Sequence, residues 1–361
     1  MTGIVLNTNV LSIGSVDDQS LTVANADLYD CNSDEDVMYS SSATTLAVQG
    51  CTNSYSDETI QIESGDTLVL DSDETLTSDN LTITGTLTQT TTGVITLSGN
   101  LASSGTFNGG SGAISAVNFT ETAGTFTSTT GIFSVQTNWT HTAGGTFTAN
   151  NGNVTRSTGT GTGTWDVATT ETLYDFTVSS ATGTLTISSG DTFVVTHTFT
   201  HNNSNINTGT VEVQGSMTVG ASAGGGSATI SFLVTGDQVI TTSGGSTGGL
   251  NINKSSGTVS VSGTNLGINS FTLASSGTGA FTAPSGTLSV INAWTHTGGG
   301  TFNHNNGNVT RATGGATAIW DVATSETFYD LTQNSSTGNM TIASGDTLVV
   351  VHTFTIAVPP L

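Results

Sequence analysis

The chain has 361 residues, 46 of them Gly, with 3 basic against 26 acidic residues and a formal charge of −23. That balance excludes nucleic acid and anionic membrane surfaces as default partners, because both are held through basic stripes. No apolar run reaches the roughly 18 residues of a membrane-spanning helix, so no transmembrane segment is expected.

Residues 1–58 read as an acidic N-terminal cap or docking module, and more than half of the acidic residues fall before position 80. The module opens on an alternating strand from Ile4 to Ile13, in which Ile4, Val5, Leu6, Val10 and Leu11 are candidate assembly residues. A second strand is expected over 21–28, then the acidic loop DCNSDED, then a short strand over 45–48. Asp30, Asn32, Asp34 and Asp36 alternate like the start of a calcium loop, and hard oxygen donors at that spacing suit Ca²⁺. Glu35 stands where such a loop needs Gly, and Ser41 where it needs a bidentate Glu, so a solvated acidic loop is the competing reading. Beyond that Ca²⁺ candidate no cofactor is expected. Cys31 and Cys51 suit one disulfide in an oxidising compartment, with two buried thiols as the alternative. The start MTGIVLNTNVLSIG lacks the basic region of a signal peptide, and the expectation is a mature or partial product.

From Thr59 the pattern changes to short segments that alternate apolar residues with Thr or Ser, such as TLVL, NLTIT, GVITLSG and TFVVTHTF, separated by Gly, Ser, Asn and Asp. Period-2 alternation with β-branched and aromatic residues marks strands, and the punctuation marks turns. A periodicity of 3.6 is missing, so helices are not expected. Strands this short bury little alone, but coiled into rungs of about 20 to 25 residues they stack and share one interior. The predicted fold is therefore all-β: a parallel β-helix, or β-solenoid, over 59–361 behind a small β-rich cap. In the TxT triplets (Thr82/Thr84, Thr86/Thr88, Thr125/Thr127, Thr184/Thr186, Thr198/Thr200) both hydroxyls face out and the middle residue faces in.

Residues 131–200 recur at 286–355, a constant offset of 155, with roughly two-thirds of positions identical, the mark of a repeat architecture. The element SGDT occurs at Ser64, Ser189 and Ser344 and reads as a turn. The second copy continues from Thr355 into IAVPPL, whereas the first continues into HNNSNINTGTVEVQG. Phe354, Ile356 and Val358 in that apolar tail are candidate assembly residues, fitted either to cap the last rung or to add a strand to a second molecule.

The run GTLTISSGDTFVVTHTFTHNNSNINTGTVEVQG, with WDVATTETLYDFTV before it, resembles the Thr/Gly-rich repeats of large bacterial and archaeal cell-surface proteins: adhesins, S-layer-like proteins and surface fibres. The resemblance covers about residues 59–361 and implies a parallel β-helix and an extracellular location.

Few residues carry chemistry. The six His residues read as packed or exposed rather than as metal ligands, since His201 is Ile356 in the second copy and His304 is Ala149 in the first. Trp139 and Trp294, both in WTH, are candidate glycan contacts, with rung packing as the competing reading. Asp166 and Asp175, with their copies Asp321 and Asp330, are the recurring carboxylates singled out, and they lack the paired, cation-flanked arrangement of a glycoside-cleaving site. No enzyme activity is expected. The expected function is a structural subunit of an extracellular fibre, filament or sheath, whose partner is itself. The alternatives are an adhesin binding surface glycans, a viral tail fibre, or an ice-binding solenoid.

Overall fold

The computed structural model describes side chains over 60–357, except 66, 71–74, 158, 160, 182, 313–316 and 336–337; before residue 60 it describes only strand backbone. Among the described residues it is all-β with no helix, and its parallel strands stack as a β-solenoid of about 13 turns. Two compact units divide the chain: residues 1–159 with 163–174, and residues 160–162 with 175–361.

In the first unit each turn contributes three short strands. One turn is Thr86–Gln89, Val94–Leu97 and Asn100–Ser103, and the next is Thr106–Asn108, Ile114–Ala116 and Asn118–Glu121. Thr67, Thr86, Thr106, Thr125 and Thr146 lie in register in successive strands, so each turn consumes about 20 residues. Because side chains alternate across a strand, the residue after each of these threonines points inward. Leu68, Leu87, Phe107, Phe126 and Phe147 form that interior column, and all are buried. A second column grows in size from Leu81 and Leu101 through Phe119 to Trp139 and Trp165. Ring centroids there lie 4.5 Å apart for Phe119–Trp139 and 5.3 Å for Trp139–Trp165.

The second unit repeats this logic. Thr258–Ser262, Asn265–Ile268 and Phe271–Leu273 form one turn, and Ala280–Thr282, Thr287–Val290 and Trp294–His296 the next. Its aromatic column runs Phe271, Trp294, Trp320. The middle residues of the TxT triplets, Ile83, Leu87, Phe126, Leu185 and Phe199, are all at 0% exposure, as the alternation predicts.

The SGDT turns form for a local reason. Asp191 N–H donates to Ser188 O at 3.1 Å, and Gly190 between them has φ +94°, a left-handed conformation that glycine adopts without strain. Gly65 and Gly345 match it at φ +95° and +92°.

Two expectations change near the N-terminus. The run Ile4 to Ile13 is two strands, Ile4–Asn7 and Val10–Ile13, paired antiparallel with Ile4 opposite Ile13. A hairpin keeps period 2 on both arms, which is why it reads as a single strand. Of the strand expected over 21–28, the described part is Asp27–Leu28. The parallel ladder also starts before residue 59. Thr45–Val48 pairs with Thr67–Leu70, and Thr52–Ile62 with Thr75–Ile83. Ladder bonds are made by the backbone, so they do not require the Gly-Thr rhythm.

Candidate functional site

The inward columns carry polar residues as well as apolar ones. In the first unit one column runs Ile83, Ser103, Glu121, His141, Val167. Glu121 is fully buried. Its Oε1 accepts from Thr146 N–H at 3.0 Å, and its Oε2 faces His141 Nε2 at 3.8 Å. The other ring nitrogen of His141, Nδ1, hydrogen-bonds Glu171 Oε2. The second unit holds the same pair, His296 Nδ1 to Glu326 Oε2 at 2.5 Å. Glu171 and Glu326 recur at the repeat spacing and were missed in the sequence, because a His and a Glu 30 residues apart meet only once the rung register is known.

A second His–carboxylate pair also recurs, this time on the outside. His197 Nδ1 lies 2.8 Å from Asp175 Oδ1, and His352 Nδ1 lies 2.8 Å from Asp330 Oδ1. The hydrogen bond from His352 holds the Asp330 carboxyl below its ordinary range. Tyr329 stacks on His352 with centroids 4.7 Å apart. Four of the six histidines are therefore repeat features tied to a carboxylate. Of the remaining two, His201 is fully buried against Ser204 O at 2.9 Å, and burial pushes its pKa down.

All three basic residues of the chain, Arg156, Lys254 and Arg311, are at 0% exposure. Arg156 stands in register with Val135, and Arg311 with Val290, at inward positions. Arg156 Nη1 donates to Ser157 O at 3.1 Å, and a Cβ on Gly159 or Gly163 would come within 3.0 or 2.9 Å of the guanidinium. The glycines after the first Arg thus make room for its head group. Lys254 Nζ donates to Val234 O and to Gln238 Oε1, the latter at 2.5 Å, and Gln238 Nε2 donates onward to Val213 O at 2.8 Å. Burial lowers the pKa of all three basic groups.

An asparagine ladder runs along the first unit. Asn100 Nδ2 donates to Asn80 Oδ1 at 2.9 Å, Asn118 Nδ2 to Asn100 Oδ1 at 2.9 Å, and Asn138 Nδ2 to Asn118 Oδ1 at 3.0 Å. Thr164 N–H closes it on Asn138 Oδ1 at 3.0 Å. Each ladder Asn precedes an inward apolar residue, and at Asn80, Asn118 and Asn138 an outward Thr comes next. The fold therefore writes N-x-T at these positions, the same triplet that marks glycosylation acceptors.

Trp139 and Trp294 are corrected as candidate glycan contacts. Both are at 0% exposure in the aromatic columns, where no sugar reaches them. Asp30, Cys31, Asn32, Asp34, Asp36, Cys51 and Val358 lie outside the described residues. Ile4, Val5, Leu6, Val10 and Leu11 are placed in strands by their backbone alone.

Phe354 and Ile356 sit in the last described strand, Thr347–Ile356, which among the described residues pairs with Ser325–Gln333. Their exposures are 52% and 62%, whereas Phe199, the first-copy counterpart of Phe354, is at 0%. The difference has a simple cause: the strand of Phe199 is followed by Thr210–Val213 and Ser216–Ala223 on its next edge. Val349 and Val351 add to the apolar surface at 38% and 57%.

No protein family, curated protein or solved structure matches this chain. The class to which it belongs is set by its fold, an all-β solenoid. No helix among the described residues is long and apolar enough to cross a membrane.

Proposed function

We propose that the protein is a structural subunit of an extracellular surface fibre, filament or sheath that assembles with copies of itself through the ends of its solenoid. One observation carries this reading: among the described residues, strand Thr347–Ile356 leaves Phe354 and Ile356 more than half exposed, an apolar surface suited to burial against another copy. Burying one such side chain contributes about 1.5 to 3 kcal/mol. Among the described residues, Thr45–Val48 and Thr52–Ile62 pair in parallel with Thr67–Leu70 and Thr75–Ile83. A parallel strand edge meeting another gives a head-to-tail contact between copies, and such contacts propagate into filaments. The extracellular part of the reading draws on the resemblance to surface-protein repeats and on an exterior of Thr, Ser and Asn without Lys or Arg. The glycan-binding alternative has no comparable support, since both of its assigned tryptophans are interior.

Sedimentation velocity across a concentration series tests the proposal. The wild-type chain is expected to grow into larger species, and a Phe354→Asp/Ile356→Asp variant to remain monomeric with unchanged circular dichroism. A wild-type chain that stays monomeric at every concentration, with and without calcium, overturns it.

A further inference from the structure

The Glu121–His141–Glu171 corner is a cluster of ionisable groups in the core that packing alone does not explain. Three neighbouring side-chain atoms there have no hydrogen-bond partner although they are buried: Ser103 Oγ, Glu121 Oε2 and His141 Nε2. They come from successive turns of one inward column. The gap of 3.8 Å between Oε2 and Nε2 is too long for a hydrogen bond. With Glu171 holding Nδ1 as the donor, an ionised Glu121 presents its charge to a ring lone pair. A proton on either atom turns that opposition into a hydrogen bond between adjacent turns.

We propose that Glu121 and His141, oriented by Glu171, form a proton-operated latch in the first unit: one shared proton ties two adjacent turns together, and its loss lets that corner open.

The second unit supplies a natural control. Its His296–Glu326 pair is intact, but the position two residues after Phe271, which matches Glu121 two residues after Phe119, is the buried Leu273. No carboxylate faces the far side of that imidazole from the preceding turn.

The ionisable groups acting on the latch are few. His141 and Glu171 act on Glu121, the two glutamates act on His141, and His141 acts on Glu171. The other packed strands bring Ser103, the Thr146 N–H and Val167 to this column. Burial pushes the Glu121 carboxyl up from 4.5 to about 7, against the pull of His141. Burial also raises Glu171. For His141, burial works downward, but the hydrogen bond and charge of Glu171 outweigh it and the net direction is up. Each group thus binds its proton more tightly folded than unfolded. The stabilisation is fully present below the ordinary carboxyl value and is lost as pH rises through about 7.

Hydrogen exchange on the full chain tests the latch, with rates corrected for the intrinsic effect of pH. Between pH 5 and pH 8 the amides of Asn118–Glu121 and Trp139–His141 are expected to lose about fiftyfold in protection, while Phe271–Leu273 and Trp294–His296 hold theirs. Glu121→Leu, which copies the second unit, and Glu121→Gln, which keeps the shape without the charge, are each expected to flatten the response. Unchanged protection in the wild type, a loss that persists in Glu121→Gln, or an equal loss in the second unit overturns the proposal. So does a fall in protection on adding EDTA, or a rise on adding Zn²⁺ at pH 8, because a cation rather than a proton would then fill the gap.

Discussion

At Trp139 the indole ring is clasped by Phe119, Phe133, Phe147 and Trp165, with centroids 4.5 to 5.4 Å away. Its Nε1–H is buried without a partner, as are those of Trp294 and Trp320. These rings are held for volume and stacking, and their polar edge is a cost. Trp139→Ala is therefore expected to destabilise the first unit by about 3 to 5 kcal/mol, through the cavity it leaves. Trp139→Phe should cost about 1 kcal/mol or less, since it also removes an unpaired donor. Urea titration followed by circular dichroism checks both; equal losses would contradict the packing account. The buried Arg156 and Arg311 follow the same economy, each placing a guanidinium where the strand before it places a valine. The alternation in NVTR puts each arginine on the inward face with its valine, although charge alone argues for the surface.

At the scale of the strand and its ladder, the asparagine column shows how stacking converts one hydrogen bond into a series. Asn118 donates to Asn100 and accepts from Asn138, so it sits in the middle of the chain of bonds. Asn118→Ala is expected to cost about 0.5 to 1.5 kcal/mol, since it removes the donor to the Asn100 acceptor below and the acceptor for the Asn138 donor above. Asn108→Ala, which loses one exposed bond to Thr88 Oγ1 at 3.2 Å, should cost a few tenths. Thermal unfolding of the two variants separates them, and matching midpoints would show that the ladder adds nothing. The strands and turns were legible beforehand because their causes are local: period-2 alternation fixes which Thr faces out, and Gly190 fixes the SGDT bend. The ladder, the His141–Glu171 pair and the buried Lys254 were not. Their partners stand about 16 to 30 residues away, and only the register of the coil brings them together. The faithful copying of 131–200 at 286–355 did signal that shape is being preserved, and the paired His and carboxylate positions are part of that shape.

For the whole molecule, the burial of every Lys and Arg leaves a formal charge of −23 with no Lys or Arg on the outside to offset it. Copies that carry charge of one sign repel one another, which favours solubility. The last strand is different: Val351, Phe354 and Ile356 are apolar, uncharged and open. The described parallel ladder includes Thr45–Val48, upstream of the point where the sequence rhythm suggested that the coil starts. The most direct test is hydrogen exchange of the Thr347–Ile356 amides at low and high protein concentration. If copies join through this strand, its outward-facing amides gain protection as concentration rises, and the Phe354→Asp/Ile356→Asp variant shows no gain. Exchange in Thr347–Ile356 that is identical at all concentrations would contradict end-to-end assembly.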